Sequence, residues 1–306
     1  AAVLGRTPPT ELAAVGGGGK GTDATAASQQ AALLPQRLRV SLSLLVEGVP
    51  KAPATWDVEE AISQYLAGFA AALRPMYLIQ WDTQVLHFAT LAVPPTFSKD
   101  LDSHTLPSST LNDFLNSKDW VLDSTSSTVR TLHLLLFVPS PAHSPLTLLD
   151  THDNPLSPPS LLISNWGGVS ILNAPHPPQG GLHLSLEELK GPMFQYLGLL
   201  RQLLGVDTPQ QSLWVKSLTD SSRGVCEWQL LSLERNLAVA RIASSRKALI
   251  SLEGLVGSIP NMIVSSETAR EAAEAIELLI SAERYWSAGD FARASSQAAM
   301  ADAVAE

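Results

Sequence analysis

The sequence has a single cysteine, Cys226, in 306 residues, and only 16% of its residues are charged. One cysteine cannot form an intrachain disulfide, so the fold does not depend on a disulfide framework. Lys and Arg number 20 against 29 Asp and Glu, which gives a formal net charge of −9. Binding to nucleic acid phosphates requires clustered cations, and the chain has no basic run. We therefore expect no nucleic-acid partner.

Long apolar runs are also missing. No stretch reaches the roughly eighteen consecutive apolar residues that cross a bilayer, and no signal-peptide pattern is present. Hydrophobic residues nevertheless make up 45% of the chain. That content is sufficient for one large core or two smaller ones.

Motifs for nucleophilic catalysis are weak. Cys226 lies in GVCEW, where the neighbouring Glu227 disfavours a thiolate, and no catalytic cysteine signature surrounds it. The G-x-S-x-G elbow of serine hydrolases does not occur in the sequence. We interpret Cys226 as a small buried residue at the start of a helix, and we expect no catalytic residue.

Metal and cofactor motifs are equally weak. The seven histidines include no H-x-x-x-H pair, and His152 with Asp150 and Asp153 is the one local cluster of potential ligands. A cluster of this kind in a proline-rich loop is typical of a solvated turn. The glycine run Gly16–Gly19 neither follows a strand nor opens a helix, so it does not predict a phosphate loop. We expect no metal and no cofactor.

Periodicity predicts alternating strands and helices over most of the chain. Strands are predicted at residues 37–46, 78–93, 131–138, 146–150 and 168–172. The polar, Ser/Thr-rich passage that follows the second of these, up to Thr128, has no predicted strand. Asp57 with Glu60, and Ser185 with Glu188, have the spacing of capping boxes that open helices. Gly191 and Pro192 predict that the second helix is kinked or starts late.

Two sets of apolar residues mark the faces of these helices. The first set is Val58, Ile62, Tyr65, Phe69 and Leu73, and the second is Leu186, Leu189, Met193, Leu197, Leu200 and Leu204. From Val225 onward, three further sets have only the helical period. They are Leu230, Leu233, Leu237 and Ala240, then Leu249, Leu252, Val256 and Ile259, then Ala269, Ala273, Ile276 and Ile280. The segment SAGDFARA at residues 287–294 predicts an isolated helical hairpin, since no second copy supports a tetratricopeptide array.

The predicted fold is α/β, with a mixed β-sheet packed with helices and an all-helical C-terminal arm after it. Residues 1–33 are rich in Ala, Gly, Thr and Ser and are predicted to be a flexible or disordered linker. Residues 34–222 are predicted to form the α/β domain. Residues 223–306 are predicted to form a helical C-terminal region that is part of the same unit.

Five residues are candidates for a structural or interface role. His143 and Pro145 lie in AHSPL at the entrance of a predicted strand, where the ring of His143 is expected to hydrogen-bond the turn backbone. Trp166 precedes Gly167 and Gly168, which permit positive φ or close backbone approach. A core position is favoured for Trp166, with a partner anchor as the alternative.

The segments that contain these candidates also carry a family resemblance. Leu132 to Asp150 reads LHLLLFVPSPAHSPLTLLD, and Asn165 to Asn173 reads NWGGVSILN. Together with RLRVSLSLLVEG from Arg37 and EWQLLSLERNLA from Glu227, in this order, they resemble the lumenal region of the PIG-S subunit of the glycosylphosphatidylinositol (GPI) transamidase. The resemblance covers about residues 31–260. It rests on the order of several motifs, none of which is a catalytic fingerprint.

The resemblance implies a non-catalytic structural subunit on the lumenal side of the endoplasmic reticulum membrane, anchored by membrane helices outside these residues. It also implies partners: the caspase-like subunit PIG-K, PIG-T, PIG-U and an accessory subunit with an aminopeptidase-like domain. The complex attaches GPI anchors to proteins. Two alternatives remain open at this point: a stand-alone hydrolase with an unrecognised site, and a soluble helical adaptor.

Overall fold

A computed structural model describes residues 34–48, 53–89, 91, 93–108, 129–175, 181–206, 224–258 and 265–305. The strands of these residues are β1 (Arg37–Glu47), β2 (Thr55–Trp56), β3 (Leu78–Ala89), β4 (Thr96–Ser98), β5 (Ser103–Pro107), β6 (Arg130–Val138), β7 (Leu146–Leu149), β8 (Ser160–Ile163), β9 (Gly167–Ile171) and β10 (His183–Leu184). The helices are α1 (Val58–Ala61), α2 (Ala67–Leu73), α3 (Leu186–Leu203), α4 (Glu227–Ser258), α5 (Ser266–Ser287) and α6 (Phe291–Ala305). A π-helical segment, Ile62–Leu66, joins α1 to α2.

The main sheet of the described residues has five strands in the order β3-β1-β6-β9-β8. β1 pairs in parallel with both β3 and β6, and β6 pairs in parallel with β9. Only β8 is antiparallel to its neighbour. Strands β4, β5 and β7 form a second, small sheet, and β2 pairs with β10. The α/β fold class with a mixed sheet is confirmed.

Both faces of the interior strand β1 are buried, which explains its almost continuous apolar sequence. Leu42 and Leu44 lie on the face that packs against the helices, in the main hydrophobic cluster. Leu45 points to the opposite face and packs with residues of the small sheet, such as Leu106 and Leu148. The sheet therefore separates two cores, a large one under the helices and a smaller one under β4, β5 and β7.

The predicted apolar faces of the first two long helical segments are confirmed. Val58, Phe69 and Leu73 are buried in the main cluster, and Tyr65 is packed against it. In α3, the buried members of the predicted set are Leu189, Met193, Leu200 and, just beyond the helix, Leu204. The helical segment from α1 to α2 and the helix α3 both cover the sheet face that carries Leu42 and Leu44.

Only one of the two predicted capping boxes forms. The Glu188 carboxylate accepts hydrogen bonds from the backbone N–H of Ser185 at 2.8 Å and from its hydroxyl at 2.7 Å. Asp57 makes no side-chain cap to α1, so this capping box was wrong. The Asp57 carboxylate lies instead 3.5 Å from Nε2 of His183, on the strand that pairs with β2.

Of the two alternatives predicted for α3, a kink or a late start, the late start was wrong. The helix begins at Leu186, directly after its Ser185 cap, and continues through Gly191 and Pro192 to Leu203. Pro192 is buried, and it lies beyond the first turn of the helix. A proline there removes one intrahelical hydrogen bond, which burial of the helix face against the sheet offsets.

In the C-terminal region, the first two predicted apolar sets, apart from Ile259, which lies outside the described residues, are on one continuous helix, the 32-residue α4. Its buried stripe recurs every four residues and includes polar side chains: Gln229, Leu233, Leu237, Arg241, Ser245 and Leu249. The third predicted face was partly wrong, because Ala273 is exposed and α5 buries Ala275, Leu279 and Ala282. Helices α5 and α6 form the predicted hairpin, with the turn at residues 288–290.

Strands β2, β4, β5, β8 and β10 were missed, and β2 and β10 have only two residues each. β4 and β5 are short, and they lie in the polar passage for which no strand was predicted. β8 has four residues after Pro158 and Pro159, so its apolar run was too brief to stand out. The predicted linker at residues 1–33 and the predicted helix residue Ile259 lie outside the described residues.

The beginning of α4 packs on the α/β layer. Leu233 and Leu237 belong to the same hydrophobic cluster as the sheet residues Leu42 and Leu44. Further along α4, the guanidinium of Arg241 is buried and donates a hydrogen bond to the Ser295 hydroxyl of α6 at 3.0 Å. Arg241 therefore joins α4 to α6 by a polar contact, and Ser245 on the same stripe adds a second, from its hydroxyl to the Asp302 carboxylate at 3.3 Å.

Candidate functional site

His143 and Pro145 lie in the turn between β6 and β7, at the carboxyl ends of β1 and β6. The ring Nδ1 of His143 lies 2.7 Å from Oε1 of Glu47, the last residue of β1. The ring thus bonds a carboxylate and not the turn backbone that the sequence suggested. The other carboxylate oxygen of Glu47 accepts the N–H of Ser140 at 2.8 Å. Glu47 therefore closes this turn by two hydrogen bonds.

Pro145 connects the same turn to the small sheet. The Ser144–Pro145 peptide bond is cis, and the Pro145 carbonyl accepts the backbone N–H of His104 at 2.9 Å. The rings of His104 and His143 meet edge-on with centroids 5.6 Å apart, and Phe97 meets His104 at 5.3 Å. Phe97 is 55% exposed. The turn therefore ends in a short row of aromatic rings that reaches the surface.

Trp166, Gly167 and Gly168 lie at the opposite end of the sheet, where β9 begins beside the first half of β6. The Trp166 ring packs on the ring of His133, with centroids 5.1 Å apart. The backbone N–H of His133 donates to the Trp166 carbonyl at 2.9 Å. Trp166 is half-buried and packs against the smaller core.

The two glycines are tightly enclosed. Gly167 has φ +154°, and a Cβ atom there would lie 1.8 Å from the carbonyl oxygen of His133. A Cβ on Gly168 would lie 2.7 Å from a methyl group of Leu199 on α3. Gly167 lets β9 approach β6, and Gly168 lets α3 approach β9. The W-G-G motif therefore sets backbone distances between three elements.

The sequence-predicted residues form two groups that the structure does not bring together. His143 and Pro145 follow the carboxyl end of β6, whereas Trp166 and the glycines adjoin its residue His133. Burial lowers the pKa of His133, because a charged imidazolium is poorly solvated there. Glu47 completes the first group. Sequence reasoning missed it, because its partner His143 is 96 positions away in the chain.

The Asp150 cluster is a turn. Oδ1 of Asp150 accepts the backbone N–H groups of His152 at 2.7 Å and Asn154 at 2.8 Å. The hydrogen bond from the Asn154 backbone, followed by that from His152, lowers the pKa of the Asp150 carboxyl. Asp153 has a positive φ of 61°, as such turns require. The carboxylate is thus used to hold the loop between β7 and β8.

Cys226 directly precedes α4 and is buried, as predicted. Its backbone N–H donates to Oε1 of Gln229 at 2.9 Å, so the side chain of Gln229 caps the start of the helix. A buried position beside a helix cap is that of a packing residue. Among the described residues, no helix has the length and apolar character needed to cross a bilayer.

Comparison with known proteins decides the family. Residues 17–306 match the model of a family described as phosphatidylinositol-glycan biosynthesis class S protein, PIG-S. The chain belongs to the PIG-S family. A relative from Bos taurus, named GPI-anchor transamidase component PIGS, is 29% identical over 259 residues, which are 83% of this chain and 47% of the relative. A human protein with the same name is 28% identical over 241 residues, 78% of this chain and 43% of its own length.

A further relative comes from Schizosaccharomyces pombe and is named GPI transamidase component PIG-S homolog. It is 32% identical over 137 residues, which are 44% of this chain and 24% of the relative. The chain spans about half the length of the mammalian PIG-S relatives it matches.

Proposed function

We propose that this chain is a non-catalytic structural subunit of the GPI transamidase, the complex that attaches GPI anchors to proteins at the endoplasmic reticulum. The observation that carries the proposal is the PIG-S family match over residues 17–306. Relatives named as transamidase components in mammals and in a yeast support it. The action proposed for the chain is to hold other subunits in place.

The chemistry of the candidate residues supports a structural role. Glu47 uses both carboxylate oxygens to close a turn, and Asp150 uses one oxygen to close another. The one cysteine is buried at a helix start. Both carboxylates thus stabilise local backbone, which favours a structural role for these residues.

The proposed partners are the caspase-like subunit PIG-K, PIG-T, PIG-U and an accessory subunit with an aminopeptidase-like domain. We propose that the described residues lie on the lumenal side of the membrane and that membrane helices outside them anchor the protein. The exposed Phe97, at the end of the aromatic row behind His143, is the kind of side chain that anchors protein interfaces.

A rescue experiment tests the function. Cells depleted of their own PIG-S protein are supplied with the full-length protein, and a GPI-anchored reporter is measured at the cell surface. We expect the reporter to return. In parallel, the tagged protein is extracted in mild detergent and its partners are identified by mass spectrometry, where we expect a caspase-like cysteine protease subunit.

Two results would contradict the proposal. One is recovery of the tagged protein as a lone monomer in an extract in which the endogenous complex stays assembled. The other is hydrolase activity of the purified chain by itself. Reporter rescue without any co-purified transamidase subunit would also count against a role as a scaffold.

A further inference from the structure

Among the described residues, no strand pairs with the outer edge of β3. β3 is the first strand in the order β3-β1-β6-β9-β8, so β1 is its one neighbour in the described part of the sheet. The backbone N–H of Leu78 donates to the carbonyl of Gln36, which directs the polar backbone groups of Leu78 and of every second residue after it toward β1. The groups of the intervening residues point outward. The central three of these residues are Trp81, Thr83 and Val85.

These outward groups have no hydrogen-bond partner among the residues that the structure describes. A row of free N–H and C=O groups at strand spacing accepts one kind of occupant, another extended polypeptide. The edge is long, because β3 has 12 residues. It exceeds the usual length of a strand in a globular protein.

The opposite edge of the sheet is protected, and β3 is not. β8 has 4 residues and follows Pro158 and Pro159, two common devices against strand addition. β3 contains no Pro, Lys or Arg, and its one acidic residue, Asp82, lies 3.1 Å from the guanidinium of Arg39. The edge strand therefore carries one charged residue, which is paired with Arg39, and has neither the proline nor the lysine that commonly protects an edge.

The side chains of β3 indicate which side chains an added strand would carry. Ile79, Trp81 and Val85 are partly buried against the main hydrophobic cluster, on the helix side of the sheet. On the other side, Leu78 is 47% exposed and Asp82 has 53% of its side chain exposed. An added strand with apolar residues at every second position on the helix side would cover the first group and leave a polar face to solvent.

We propose that β3 receives an extended segment of another transamidase subunit, which adds to the main sheet as a sixth strand. The proposal rests on the function proposed above. The segment is recognised by its backbone together with alternating apolar side chains and little charge, which match the low charge of β3. Binding by strand addition orders both chains and explains why a subunit of a complex keeps so long an unprotected edge.

Thr83 provides a sharp test, because its N–H points outward and its side chain is exposed. Thr83→Pro removes one outward donor without removing a hydrogen bond to β1. Thr83→Ala is the matched control, since it shortens the side chain and keeps the N–H. Both changes are made in the full-length tagged protein, expressed in cells depleted of their own PIG-S protein. Partners are quantified by mass spectrometry after mild detergent extraction.

We expect Thr83→Pro to recover at least about fivefold less of the other subunits than Thr83→Ala does, and Thr83→Ala to match the unmodified protein. The melting temperature of the Thr83→Pro protein should stay within about 2 °C of the control. Equal recovery with both variants would overturn strand addition while leaving the proposed function standing. Failure of the unmodified protein to recover any subunit would instead overturn the proposed function.

A second measurement covers the case in which Thr83→Pro lowers the melting temperature. The photoreactive residue p-benzoylphenylalanine replaces Thr83 in the full-length protein, and exposed Lys190 on α3 serves as the control position. We expect adducts with a peptide of another subunit from position 83 and not from position 190. Adducts only with a second copy of this chain, only with its own residues 1–33, or with nothing would each overturn the proposal.

Discussion

The carbonyl oxygen of His133 occupies the place where a Cβ atom on Gly167 would lie, at a separation of 1.8 Å. The carbonyl oxygen is part of the backbone and a Cβ atom is bonded directly to it, so rotation of a side chain cannot relieve the clash. The φ of +154° at Gly167 is also a conformation that residues with a side chain rarely adopt. The start of β9 is therefore restricted to glycine by its neighbour β6.

Gly167→Ala is expected to destabilise the protein strongly, by about 3 kcal/mol or more, because backbone must move to relieve the clash. Gly168→Ala is the matched control. Its new methyl group would meet the flexible end of Leu199 at 2.7 Å and the Leu161 carbonyl oxygen at 3.1 Å, contacts much less severe than the one at Gly167, so we expect a smaller loss of about 1 to 2 kcal/mol. Urea denaturation of the purified chain measures both. Equal losses of unfolding free energy in the two variants would show that the close approach of β9 to β6 does not make Gly167 the more sensitive position.

The lowered pKa of His133 predicts a pH dependence of stability. Since burial disfavours the charged ring in the folded protein, the unfolded chain binds more protons between the folded pKa and the usual value of 6.5. The free energy of unfolding therefore falls as pH decreases below about 6.5. His133→Gln should show a smaller decline between pH 7.5 and 5.5 in urea denaturation.

His152→Gln controls for the general effect of removing a histidine, because His152 is exposed and bonds Asp150 only through its backbone. This variant should keep the pH profile of the unmodified protein. If His133→Gln and the unmodified protein decline in parallel, burial of His133 does not contribute to the acid sensitivity.

Glu47 and His143 are expected to differ in their contribution to the turn after β6. Glu47→Ala removes the acceptor of both Ser140 and His143, so it should cost about 2 to 3 kcal/mol of unfolding free energy. His143→Ala leaves the Ser140 bond intact and should cost about 1 kcal/mol or less. Denaturation at pH 7 compares them. A larger loss for His143→Ala would show that the aromatic row, not Glu47, holds the turn.

Arg241 is expected to hold α6 against α4. Its guanidinium is buried and donates to the Ser295 hydroxyl, while burial lowers its pKa. Arg241→Ala should cost about 3 kcal/mol, and Ser295→Ala about 1 kcal/mol, because the larger change also leaves a cavity. Hydrogen exchange of residues 291–305 should speed up in both variants, and more in Arg241→Ala. Unchanged exchange in α6 would contradict this role.

Cys226→Ala should leave function intact, because the side chain is buried at a helix start. The surface level of a GPI-anchored reporter in depleted cells checks this, with the amount of the variant protein measured alongside. Loss of rescue at a normal protein level would contradict the non-catalytic assignment. The unmodified protein, assayed in the same cells, is the reference.

The sequence predicted elements well where one local pattern decided them. The apolar strand β1 and the face of α3 with Leu189, Met193 and Leu200 could be recognised because burial alone sets their periodicity. Ser185 and Glu188 form their capping box because both partners lie within one helical turn. Such features depend on residues that are close together in the chain.

The failures involve partners that are distant in sequence. Asp57 has the same spacing to Glu60 as Ser185 has to Glu188, yet its carboxylate is drawn to His183, which β10 brings beside β2. Arg241 would be assigned to a solvated helix face from its charge, but Ser295 on α6 gives it a buried partner. The candidate residue His143 could be found from its motif, whereas its partner Glu47 could not.

The parallel pairing of β1 has a consequence for the time course of folding. Arg39 pairs with Gln80 on one side and with Thr131 on the other, so the second neighbour of β1 is synthesised about 90 residues after it. At the usual speed of translation, β1 waits about 5 to 20 s for β6. In the later part of that interval only β3, of the two sheet neighbours of β1, has been synthesised. One edge of β1 therefore stays without its partner strand until β6 emerges from the ribosome.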